Sequence, residues 1–165
     1  MMFEIGAVLK YGASGIYRLT EIKQMEMAGQ KQDYLVLQSV SCTSTVAYIP
    51  AKNAALTAKL YPLLSQQEAT ALVEQIPSME TFWINADKER ADRFKQVLEG
   101  EDRGQIAAMI RSLRCRRAAL SQRNKKLRSA DESIMNRAEK LLFDELSLSI
   151  SITPNSFYAL FHTEE

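Results

Sequence analysis

The sequence predicts an α+β fold, with a small antiparallel β module followed by an all-helical domain, and two observations carry that prediction. Up to Pro50 the apolar segments are short, rich in β-branched and aromatic residues, and separated by glycine-containing turns. Beyond Pro50 they recur at i, i+3, i+4 and i+7. A run of strands followed by a run of helices reads as α+β rather than as an alternating α/β chain. The chain has 165 residues, 46% hydrophobic and 25% charged, enough to bury a real core and unlike a disordered or collagenous chain.

Four segments read as strands: Ala7–Lys10, Gly15–Ile22, Tyr34–Gln38 and Thr45–Ile49. Gly6, Gly12, Gly15 and Ala28-Gly29 supply turns, and Pro50 is expected to end the last strand because it cannot donate a ladder hydrogen bond. Four or five short strands at this spacing predict a strongly bent antiparallel sheet or a small barrel.

The helices follow without a Gly/Ser linker. Ser65-Gln-Gln-Glu68 is a capping box that opens a helix with Ala69, Leu72, Val73 and Ile76 on one face, and Pro77 stops it. Residues 86–99 form a charged helix that buries Phe94, Val97 and Leu98 and ends at Gly100. Ile106, Met109, Ile110 and Leu113 mark a third helix, running into a basic stretch. Ser129-Ala-Asp-Glu132 reads as a second capping box ahead of Ile134, Met135, Ala138, Leu141, Leu142 and Leu146. Thr153-Pro154 reads as an N-cap with proline at the first helical position, opening a last helix through Leu160. The expected division is residues 1–60 for the β module and 61–165 for the helices.

Composition removes several kinds of chemistry. The only histidine is His162, and the two cysteines, Cys42 and Cys115, are far apart, so the four ligands of a structural zinc site are not available. A nucleophile–histidine pair would have to recruit His162 from the end of this sequence, and we expect neither an enzyme nor a cofactor. No apolar run approaches the roughly 18 residues that span a bilayer, and the start lacks a basic flank followed by an apolar segment, so a soluble cytoplasmic protein is expected.

The net charge of +1 conceals a strong asymmetry. Residues 111–128 carry eight cations and no acid: Arg111, Arg114, Arg116, Arg117, Arg123, Lys125, Lys126 and Arg128. On a continuous helix Arg114 and Arg117, or Arg116 and Arg123, would share overlapping faces and could neutralise phosphates. The ordinary alternative is a solvated surface. Phe82-Trp83 is the second candidate. A tryptophan at a helix entrance is commonly a staple or core residue, and its functional alternative is an aromatic wedge against unstacked base steps. The third candidate is an open edge of the sheet, able to accept a partner's strand. Asp131/Glu132 read as capping residues, whereas Asp144/Glu145 sit late in their helix, where the dipole disfavours acids.

Taken together, the sequence resembles the CarD/CdnL family of bacterial transcription regulators, whose N-terminal module is shared with transcription-repair coupling factor. The matching residues are Phe3-Glu-Ile-Gly6, Val8 with Tyr11, Gly15, Gly29–Leu37, Thr45-Val46, Ile49-Pro-Ala-Lys-Asn-Ala54, Trp83, Ile110–Leu113, Lys126-Leu127 and Ala138–Leu146. The resemblance implies a Tudor-like module that binds the RNA polymerase β subunit, partly through its sheet edge, with Met25, Tyr48, Ile49 and Pro50 at the contact. It also implies a helical domain on promoter DNA, independent of sequence, with Trp83 wedged into the minor groove at the edge of the melted region. The cations Arg111, Arg114, Arg116, Arg117, Arg123, Lys125, Lys126 and Arg128 would lie on the phosphate backbone. The implied function is stabilisation of the open promoter complex by a nucleoid-associated, non-enzymatic regulator.

Where family members often have a Tyr-Pro-x-His-Gly turn, this chain has Tyr11-Gly-Ala-Ser-Gly15, and Met25 and Tyr48 stand where relatives carry basic residues. A protein–protein adaptor without DNA contact is the alternative reading. The exposed strands leave open a swapped homodimer.

Overall fold

The computed structural model describes residues 3–162, which divide into two compact units, one ending at Leu63 and the other starting at Leu64. Each is built from local signals of a different period.

The first unit holds β1 (Val8–Tyr11), β2 (Gly15–Met27), β3 (Gln30–Ser39), β4 (Val46–Pro50), the short helix α1 (Ala54–Thr57) and β5 (Leu60–Pro62). The strands form one antiparallel sheet in the order β4-β3-β2-β1-β5, which makes β4 and β5 its edges. Leu9, Tyr17, Leu19, Leu35, Leu37, Ile49 and Leu60 make the buried core of this unit. The β2–β3 hairpin is longer than the apolar pattern predicts. Met27 pairs with Gln30 across a two-residue turn in which Ala28 (φ 52°) and Gly29 (φ 78°) are both left-handed, the geometry that matches the natural twist of a hairpin. Because β4 reaches only to the pairing of Tyr34 with Pro50, the hairpin continues past the sheet as a two-stranded ribbon of Gln24–Met27 and Gln30–Asp33.

Pro50 closes an edge strand, where a missing N–H is tolerated. The chain then turns through α1, capped by the Asn53 side chain, and returns as a fifth strand beside β1. That strand lies across the residue-60 boundary expected from composition. Inside this sheet Lys10 is fully buried. Its ammonium donates to the Gly12 carbonyl at 2.9 Å and lies 5.6 Å from the centroid of the Tyr61 ring.

The second unit consists of α2 (Gln66–Gln75), a 3₁₀ turn (Ile76–Ser78), α3 (Asp87–Glu99), α4 (Arg103–Ser121), α5 (Ser129–Ile150) and α6 (Pro154–Leu160). The Ser65–Glu68 capping box forms in full, and Thr153 caps α6 as its Thr-Pro signal predicts. The second capping box does not form. α5 already includes Ser129, Arg128 occupies the cap position without a side-chain bond, and Asp131 is drawn inward by an arginine of α3.

Three buried or part-buried ion pairs tie α5 to its neighbours. Arg90 of α3 makes a two-pronged contact with Asp131 at 2.9 and 2.7 Å, and Arg103 of α4 does the same with Glu145 at 2.9 and 3.0 Å. Arg114 of α4 meets Glu139 at 2.6 Å. These pairs account for acids late in α5: Glu145 also accepts the Leu64 N–H at 2.8 Å, and Asp144 takes Lys140 one turn back. No helix among the described residues is long and apolar enough to cross a membrane.

Candidate nucleic-acid interface

The basic stretch is not one helical face. α4 stops at Ser121, and Asn124 is left-handed (φ 56°), so Arg123, Lys125, Lys126 and Arg128 lie in the connection to α5. The alignment of Arg116 with Arg123 on a continuous helix is therefore corrected. The stop has a local cause: the Lys125 and Arg123 N–H groups both donate to the Leu120 carbonyl and wind the chain off the helix axis, while Leu127 is buried.

Two of the eight cations are committed to the protein. The Arg111 Nε donates to the Met79 carbonyl at 2.9 Å, and its Nη1 is buried without a hydrogen-bond partner. Arg114 is engaged by Glu139 and lies 5.0 Å from the Tyr158 ring centroid. Both guanidinium groups thus already serve acceptors of the protein, a main-chain carbonyl for Arg111 and a carboxylate for Arg114.

Of the others, Arg116 and Arg117 lie on different faces of α4 and the rest follow in the connection. Arg117 lines a cleft of about 570 Å³ with Arg114, Ser121, Phe161 and His162. Arg116 lies on the other face, in a cleft of about 250 Å³ with Trp83, Arg90, Lys126, Arg128, Asp87 and Asp131. Four cations there face two carboxylates. Arg123 and Lys125 are exposed on the connection.

Trp83 sits in the irregular segment 79–86 that leads into α3. It is half-buried, packing edge-on to Phe94 at 6.3 Å, with the Arg90 and Arg116 guanidinium groups 4.5 and 5.3 Å from its ring centroid. Arg90 is itself 2% exposed. Its bonds to Asp131 and Asp87 hold the guanidinium charged, and the Arg90 contact, ahead of the Arg128 charge, draws the Asp87 carboxyl below its ordinary range. Arg128 reaches Asp87 at 3.3 Å on the exposed side. Sequence reasoning missed Arg90 and Asp131 as part of this site, and also Ser112, whose hydroxyl accepts the Phe82 N–H beside Trp83. The Asp87/Arg90 spacing of i,i+3 was the one local signal available.

In the β unit, Tyr48 stands 50% exposed on the edge strand β4, opposite Val36, and Pro50 ends that strand. Met25 is half-buried on the hairpin ribbon, paired with Gln32. The Ile49 side chain, 1% exposed, belongs to the core, since alternate residues of a strand face opposite ways, and only its main chain lies at the edge. Beyond β4 the sheet has no further strand among the described residues. No group of three or more His, Cys, Asp or Glu side chains among them could hold a metal ion.

Residues 3–63 match the model of the CarD-like/TRCF RID domain. No curated protein matches the chain.

Proposed function

From the premise that this chain is CarD-like and that its residues 3–63 form an RNA-polymerase-interacting domain, we propose that it is a non-enzymatic transcription regulator. It binds the polymerase β subunit and stabilises the open promoter complex. The domain match carries the reading. The free edge of β4, with Tyr48 exposed and Pro50 at its end, is the surface suited to pairing with a strand of the partner.

Tethering supplies what the helical unit lacks in affinity. Once one module is bound, the other meets DNA at an effective concentration of roughly millimolar for a short connection, so a few phosphate contacts suffice. Arg116, Lys126 and Arg128 beside Trp83, together with Arg123 and Lys125, are the cations for the backbone. Inserting Trp83 at an already melted edge avoids unstacking that costs a few kcal/mol in intact duplex. The ring therefore favours the open over the closed complex, and only such a difference in affinity can shift the equilibrium.

Titration calorimetry of the full chain against an isolated β-subunit lobe tests the tether, with Tyr48→Glu as its control. Saturable binding that weakens about tenfold or more in the variant is expected from an unpaired carboxylate in an interface. Absence of binding by the unaltered chain would overturn the proposal and leave an adaptor for another protein. For the wedge, Trp83→Ala is expected to shorten the lifetime of the open complex while polymerase affinity is unchanged.

A further inference from the structure

The residues on either side of Trp83 are held by side chains from two different helices. The Phe82 N–H donates to the Ser112 hydroxyl of α4 at 3.0 Å, and the Ile84 carbonyl accepts from the Arg90 Nη1 of α3 at 2.8 Å. Neither holding group is loose. Ser112 donates to the Ala108 carbonyl at 2.7 Å, which leaves its oxygen lone pairs for Phe82, and Arg90 is fixed by Asp131 and Asp87. Three residues upstream the same segment is tied again, at the Met79 carbonyl, by Arg111. Segment 79–86 has no helical or strand ladder of its own beyond the end of the 3₁₀ turn and the start of α3, so these bonds decide the path of its main chain.

We infer that Arg90 and Ser112 are positioning residues for Trp83, fixing the ring in its presented orientation before any DNA is bound. The inference rests on the reading that Trp83 meets DNA. Arg90 acts twice, pinning the carbonyl that follows the tryptophan and lying 4.5 Å from its ring centroid. An unpinned segment would have to be ordered at the moment of insertion, and that entropy would be subtracted from the stabilisation of the open complex. Holding it in the free protein removes the subtraction, as preorganised binding surfaces do.

Trp83 is the sole tryptophan, so its emission reports this geometry directly. Ser112→Ala and Arg90→Lys in the full chain are measured by circular dichroism, acrylamide quenching, tryptophan anisotropy, calorimetry on the β-subunit lobe, and open-complex lifetime. Helical content and polymerase affinity are expected to stay at the level of the unaltered protein. Quenching should rise about twofold, anisotropy should fall, and the open-complex lifetime should drop about fivefold or more, as loss of preorganisation predicts.

A role confined to satisfying buried groups would lower thermal stability and leave quenching and anisotropy where they are, and that result overturns the inference. So does a rise in quenching with an unchanged lifetime, provided Trp83→Ala itself shortens the lifetime. If Trp83→Ala leaves the lifetime unchanged, the wedge reading fails by itself, and the fluorescence of Ser112→Ala still decides whether the ring is positioned. Should Arg90→Lys not fold, Ser112→Ala, which removes a single oxygen, carries the test alone.

Discussion

Replacing Glu145 by glutamine changes one atom at the most enclosed charge pair in the helical unit. The Arg103 and Glu145 side chains are 5% and 1% exposed, and the carboxylate accepts three hydrogen bonds, two from the guanidinium and one from the Leu64 N–H. An amide has one acceptor oxygen for two positions that both face donors, so whichever way it turns, an N–H₂ group meets an N–H. The lost charge-assisted bond is worth about 1.5–3 kcal/mol. Leaving a buried guanidinium without its counter-charge costs about 3–5 kcal/mol. The two routes to the same number overlap near 3 kcal/mol, which for a unit of about 100 residues lowers the melting temperature by about 12 °C or more.

Urea denaturation followed at Trp83 reads this unit alone, because the β unit contains no tryptophan. The midpoint should fall with the slope unchanged. The double variant Arg103→Met/Glu145→Leu should recover most of the loss, since removing both charges also removes their desolvation. A cost below about 1 kcal/mol for Glu145→Gln, the value of an exposed pair, would refute the reasoning, for it would mean that water reaches the pair.

Two further outcomes follow from individual residues. Hydrogen bonding from the Ser44 hydroxyl, 3.2 Å from its sulfur, lowers the exposed Cys42 thiol to about 7. A lowered value means that thiolate is present at neutral pH, so iodoacetamide should modify Cys42 in a Cys115→Ser background with a midpoint near pH 7, rising in Ser44→Ala. A midpoint near the ordinary thiol value of about 8.5 would refute it. Ser151 ends α5 in a left-handed conformation (φ 55°), where a Cβ costs roughly 1 kcal/mol. Ser151→Gly should therefore raise thermal stability, and a lower melting temperature would show that the serine side chain does more there than its backbone angle indicates.

What the sequence made legible was local. The Ser65 box was readable because both partners lie within one turn. Ser129–Glu132 has the same spelling and fails because α5 starts one residue earlier, with Ser129 already inside the helix and Arg128 at the cap position. The fifth strand escaped because three residues give no periodicity, and the partner that makes them a strand is β1, at the start of the chain.

The basic run was visible as charge. Its division was not, since the groups that occupy Arg111 and Arg114 lie 32 and 25 residues distant. Ile49 illustrates the remaining gap, because a resemblance names a position and only the register of β4 says which way its side chain points.

The three arginine–carboxylate pairs share one polarity, with every acid on α5 and every guanidinium on α3 or α4. Apolar side chains tolerate a slide of one helix along another, because leucine packs nearly as well against the next leucine. These pairs do not. Moving α5 by one turn would separate all three at the same moment, leaving six charged groups mismatched, four of them from buried pairs. Alternative registers are thereby removed from the collapsed ensemble together rather than one contact at a time, and the helices that flank the Trp83 segment close in a single alignment.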